Sequence, residues 1–233
     1  MTEIKEMKTL GMIGGTSWHA TEMYYRLIQQ GVAKKIGAWN SAPLILHSIN
    51  IAIMRSQNEE IINAKYLDTA QKLEKSGARA ILICANTPHL VYDFVQPQIG
   101  IPFLHIAEAT GREAKRLGLK KLGILGNKPT MTGSFISGYI KDEFDIDVIR
   151  PEGDGLDYSH HYVSKELTQG KFTADARLFF LEEMAKLESR GADGIILGCT
   201  ELPILLKEVT AEIPFLSTTT LHAQMAVDFI LSE

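Results

Sequence analysis

"GARAILICANT" occupies residues 77–87, and "GADGIILGCTE" occupies 191–201. Each runs from a glycine through an apolar stretch into small polar residues. Each also holds one of the chain's two cysteines, Cys84 and Cys199. They match at an offset of 114 residues. "KTLGMIGG" (8–15) matches "KKLGILGN" (120–127) at an offset of 112, and "IPFL" begins at Ile101 and again at Ile213, also 112 apart. Three matches in the same order at nearly one offset define an internal repeat.

Within each repeat, apolar runs of strand length alternate with longer helical segments. Strands are predicted at 9–13, 44–49, 80–84 and 101–104, then at 121–125, 147–149, 194–197 and 214–216. Helices are predicted at 20–33, 59–75, 131–141, 174–189 and 221–231. Strands alternating with helices build parallel sheets covered on both faces. Gly77 and Gly191 stand just past the two long helices, where a glycine stops a helix. The fold class is therefore α/β, with two pseudo-symmetric domains over 8–110 and 118–222, each a parallel sheet flanked by helices. Residues 111–120 form the expected connection, and the C-terminal helix 219–231 is expected to pack back on the first half.

Length and composition fit a globular protein. The 233 residues are 45% hydrophobic and 22% charged, with 24 basic and 28 acidic side chains giving a net charge of −4. No basic block suggests nucleic acid. No run approaches the roughly 20 apolar residues that cross a bilayer. The N-terminal stretch carries charges of both signs and does not read as a signal peptide. Two cysteines make no disulfide framework, so a reducing, cytoplasmic setting is expected.

Ligands of open parallel sheets bind beyond the carboxyl ends of the strands. Three loops qualify: "GGTSWH" (14–19), "CANTPH" (84–89) and "GCTELP" (198–203). Two similar halves can close such loops around one small ligand. Cys199 starts a loop that leads into a helix, a position expected to lower a thiol below its free value of about 8.5. Thr200 is suited to bond a carboxylate, and Glu201 to cap the helix. The offset of 114 pairs Cys199 with Ala85, not Cys84. Successive side chains on a strand point to opposite faces, so Cys84 is expected to face into packing unless a kink turns its sulfur.

"GMIGGTSWHAT", "CANTPH" and "LGCTE", in this order, resemble the aspartate/glutamate racemase family in its broad amino-acid branch. "NSAPLILHSIN", "IPFLHIAEATGREA", "LGILGNKPTM" and "IPFLSTTTLHA" extend the resemblance over nearly the whole chain. The resemblance implies a two-domain racemase-like fold, commonly dimeric. It also implies a free amino acid as substrate, no cofactor, and racemisation by two residues working on opposite faces of Cα. Cys199 matches the second catalytic cysteine. Asn86 and Thr87 match the polar pair that binds substrate carboxylate, Thr200 matches its counterpart, and Thr16 and Ser17 match the first contact loop. Glu201 joins this substrate-binding set. His89 matches the family's histidine. Thr16 and Ser17 can equally serve as helix caps.

The first catalytic cysteine of the family falls on Ala85, which can neither take nor give a proton. Cys84 and His89 are the candidates for the second acid/base. Ser217 stands where the family often has an aspartate, while His222 remains. Racemisation, a one-base reaction such as decarboxylation, and amino-acid binding without turnover all stay open. Arg55 and Lys171 are candidate contacts for a substrate carboxylate, although each reads more simply as a surface charge. "GMIGG" lacks nucleotide-binding spacing. The seven histidines are scattered, and the adjacent His160 and His161 lie in a polar segment, so no metal site is expected.

Overall fold

The computed structural model describes residues 6–233. The chain divides into two compact units. The first holds residues up to His105 together with His222–Glu233, and the second holds Ile106–Leu221.

In the first unit, β1 (Leu10–Gly14) lies between β2 (Leu44–Ser48) and β3 (Ala80–Ile83), all parallel. Helices Trp18–Ile36 and Glu59–Lys75 make the crossovers. The second helix shows why its sequence folds locally. Asn58 caps its first turn by accepting from the Ile61 N–H. Glu59 and Glu60 stand at the positive end of the helix dipole, and Lys72 and Lys75 at the negative end. Alternate strand residues feed two separate cores. Leu10, Met12, Ala80, Leu82 and Cys84 pack with Tyr24, Ile28 and Val32 of the first helix, and with Ala223, Ala226, Val227 and Ile230 near the C-terminus. Ile13, Ile81 and Ile83 pack on the other face with Ile62, Tyr66 and Leu73 of the second helix.

The second unit repeats the plan. Its sheet runs β5 (Asp147–Ile149), β4 (Lys121–Gly126), β6 (Gly194–Gly198), β7 (Phe215–Ser217), again parallel. Leu125, Ile195, Leu197 and Cys199 meet Phe180, Met184 and Leu187 of the helix Ala174–Ser189. Leu122, Ile124 and Ile196 face the other way, towards Ile106, Ala114, Ile136 and Ile140. The register reproduces the sequence repeat: Leu10 pairs with Ala80 as Leu122 pairs with Gly194, and Ile81 bridges Phe103 as Ile195 pairs with Phe215.

Several elements differ from the sequence reading. Residues 101–104 make a single bridge at Phe103, because the chain turns into the helix Ile106–Arg116 directly afterwards. That helix occupies most of the expected connection. It belongs to the second unit, where Gly111 lets the Phe144 ring approach so closely that a Cβ would fall 2.3 Å from it. The helix predicted at 131–141 is two helices, Lys128–Thr132 and Ser134–Phe144, broken at Gly133, whose backbone is extended. The polar segment containing His160 and His161 is helical over Asp154–His161. Among the described residues, no helix is long and apolar enough to cross a membrane.

Candidate active site

The candidate residues lie in loops at strand carboxyl ends, after β1 and β3 in the first unit and after β6 in the second. In the first unit, the turn after β1 requires a glycine. Gly15 has φ +90°, and a Cβ there would lie 2.0 Å from the Ile49 carbonyl oxygen. The turn delivers Thr16, whose hydroxyl lies 2.7 Å from that of the buried Tyr66. Burial pushes the Tyr66 phenol well above its ordinary range, so it stays a neutral hydroxyl. Ser17 caps the helix Trp18–Ile36, its Oγ accepting from the Ala20 N–H at 3.2 Å. Its side chain thus serves the helix, leaving Thr16 as the more available hydroxyl of this loop.

The loop after β3 separates Cys84 from Ala85. Cys84 is 1% exposed, among Leu10, Met12, Leu82 and Leu104. Its N–H continues the ladder to the Ile13 carbonyl at 2.9 Å, so no kink turns the sulfur outward. Burial pushes this thiol far up from its ordinary value. Ala85, next along the chain, is only half-buried. Asn86 is buried, and its Oδ1 has no hydrogen-bond partner. Thr87 opens a short 3-10 helix, Thr87–Val91. His89 is fully buried. Its Nδ1 lies 2.9 Å from the Ala85 carbonyl and 3.1 Å from that of Asn86. Burial lowers this imidazole to about 4. Its ring meets those of His105 and His222 at centroid distances of 5.1 and 5.3 Å. Neither Cys84 nor His89 therefore presents an accessible acid or base in this unit.

In the second unit, Cys199 ends the run Ile195, Leu197, Cys199 on one face of β6. Its Sγ donates to Glu201 Oε2 at 2.8 Å, and the Thr200 hydroxyl donates to the same oxygen at 2.7 Å. All three residues are buried. The expected depression of the thiol is reversed. Burial, followed by the adjacent Glu201 side chain, holds Cys199 well above its ordinary value. The following helix, Leu202–Leu205, is only one turn long and offers little dipole to oppose them. Glu201 occupies that helix's N-cap position but makes no side-chain cap bond. Ser217 caps the final helix instead, meeting the Thr220 hydroxyl at 3.0 Å and its N–H at 3.4 Å.

Arg55 ends the one-turn helix Ala52–Arg55 and is exposed, as is Lys171. His160 accepts from the Lys128 N–H at 3.2 Å. Sequence reasoning missed Tyr66 and the grouping of His89, His105 and His222. Tyr66 carried only a helical core signal, and His105 sat unmarked inside a matched segment.

The sequence profile of the Asp/Glu/hydantoin racemases matches residues 13–226. The broad-specificity amino-acid racemase RacX of Bacillus subtilis is 29% identical over 175 residues, 71% of each chain. A solved chain from Yersinia pestis, assigned to the Asp/Glu racemases, superposes with a TM-score of 0.91 at 36% identity, covering 97% of this chain and 100% of that one. An aspartate racemase homologue from Pyrococcus horikoshii OT3 gives a TM-score of 0.83 at 29% identity, covering 95% and 98%. A profile match over most of the length, together with the repeated sheets, assigns the chain: it belongs to the Asp/Glu/hydantoin racemase family.

Proposed function

We propose that this protein is an amino-acid racemase that moves a proton at Cα of a free amino acid without a cofactor, with Cys199 as the acid/base. The observation that carries the reading is the Cys199–Glu201 contact. A thiol must lose its proton before it can take one from carbon, and the Glu201 carboxylate is already the acceptor of that proton. Placing a thiolate beside a second anion is costly. The α-ammonium of a bound amino acid offsets that cost, so the pair works best with its substrate present. Asn86 and Thr87 supply donors for the substrate carboxylate, which stabilises the charge that develops as Cα loses its proton. Thr16 adds a hydroxyl already oriented by Tyr66.

A second reading rests on Ala85. The place expected for the other base holds a methyl group, and the neighbouring Cys84 is sealed in the core. One working base supports exchange or protonation on one face only, as in a decarboxylase, and a site without turnover still binds amino acids. Cα exchange in deuterated water, followed by proton NMR with a panel of acidic, hydroxyl-bearing and thioether amino acids, separates the readings. Exchange with inversion supports racemisation. Exchange with retained configuration supports one base. Binding without any exchange would overturn the enzymatic reading.

A further inference from the structure

We propose that His89 is a positioning residue of this site, whose Nδ1–H holds the loop that presents Asn86. The inference rests on the racemase reading for its kinetic readout. Its geometry comes entirely from the first unit. Carbonyl oxygens only accept hydrogen bonds, so contacts of 2.9 Å to Ala85 O and 3.1 Å to Asn86 O require the proton on Nδ1. The His89 backbone N–H donates to the same Asn86 carbonyl at 3.0 Å. The two consecutive carbonyls are thereby pinned from one residue.

Nε2 is then bare, and it is buried without a partner. The ring's neighbours hold it in place. His222 donates from Nε2 to the Leu104 carbonyl at 2.9 Å, which leaves its Nδ1 to accept from the Tyr24 hydroxyl at 2.9 Å. The rings of His222, His105 and Phe103 pack around that of His89 at centroid distances of 5.1 to 5.6 Å. His89 remains neutral at physiological pH because burial depresses it, so this tautomer persists.

The consequence is carried by Asn86. Its Oδ1 is the other buried acceptor in this loop without a partner, and its side chain makes no cap bond to the helix it precedes. That oxygen is available to a donor group of a ligand, such as an α-ammonium, and its aim depends on the backbone that His89 fixes. The repeated loop in the second unit has no such tether. The position matching His89 is Pro203, which has neither an imidazole nor a backbone N–H to donate.

Two substitutions separate positioning from bulk. The side-chain nitrogen of asparagine falls near the place of Nδ1, whereas that of glutamine falls near Nε2. His89→Gln should raise KM about tenfold with a smaller change in kcat, because loss of a group that binds ground and transition states alike shows in KM. His89→Asn should recover most of that loss. Equal effects of the two, or no effect of either, overturn the inference. Nitrogen-15 imidazole spectra of the wild-type protein at pH 7 give a check that is independent of turnover and of variant folding. A proton on Nδ1 of His89 with a bare Nε2 supports the inference, and the opposite tautomer overturns it. Absence of Cα exchange in the wild-type protein sinks the racemase reading instead, and the nitrogen spectra then decide the placement of His89.

Discussion

The Sγ–H of Cys199 donates to Oε2 of Glu201 across 2.8 Å, in the turn that follows β6. The two residues form a proton donor and acceptor inside one loop, and Thr200 adds a second donor to the same oxygen. A buried oxygen that receives two hydrogen bonds stays fixed, which keeps the thiol's proton path short.

Replacing Glu201 by glutamine should pull two measurements apart. Removing the neighbouring charge lets the Cys199 thiol ionise more easily, so alkylation by iodoacetamide at pH 8 should speed up, as read by mass spectrometry. Cα exchange should nevertheless slow by about 10²–10⁴-fold, the usual worth of a general acid–base group. Exchange that keeps its full rate would remove Glu201 from the proton path.

The two cysteines should behave oppositely. Cys199→Ala should abolish Cα exchange. Cys84→Ala removes one buried sulfur from an apolar cluster, so it should cost about 1 kcal/mol of stability and leave kcat/KM within about twofold. Urea denaturation and steady-state kinetics on the same preparations check both statements.

Ala85 offers a gain-of-function test. It occupies the register position of Cys199 in the first repeat, and it is half-buried rather than sealed. Ala85→Cys supplies the missing thiol and should raise the racemisation rate by about 10²–10⁴-fold, measured by chiral chromatography. An unchanged rate would show that this position does not reach the substrate.

Stability should fall at both ends of the pH scale, for different groups. Burial holds His89, His105 and His222 below the ordinary histidine value. The unfolded chain therefore gains protons below about pH 6.5 that the folded chain refuses. Stability present above pH 6.5 is lost as pH falls, and His89 alone accounts for about 3 kcal/mol by pH 4. His89→Asn should flatten that slope. At the alkaline end, both thiols are raised in the folded state. Their stabilisation is complete below the unfolded value of about 8.5 and declines as pH rises beyond it. Denaturant titrations between pH 5 and 10 read both limbs, and a flat acidic limb would show the histidines to be solvated.

Much of this arrangement was legible because strands and repeats write themselves in local order. The offset that pairs Cys199 with Ala85 is the offset at which the two sheets keep the same register. A period of two places Cys84 with Leu82 and Ala80 on the opposite face from Ile81 and Ile83. Less was legible where one residue decides a boundary. Gly133 breaks a helix that periodicity would run through, and residues 111–116 continue a helix because Gly111 admits Phe144.

The sequence by itself determined the two α/β repeats, the loops that hold the candidate residues and the parity of each cysteine, since all of these follow from neighbours along the chain. Only the tertiary structure decided the state of the groups in those loops. Thr16 meets Tyr66 across 50 residues of sequence, and Tyr24 meets His222 across 198. Cys199 is held protonated because its surroundings exclude water while a carboxylate faces its sulfur. Solvent exclusion and long-range contact set those properties, and neither leaves a local pattern in the chain.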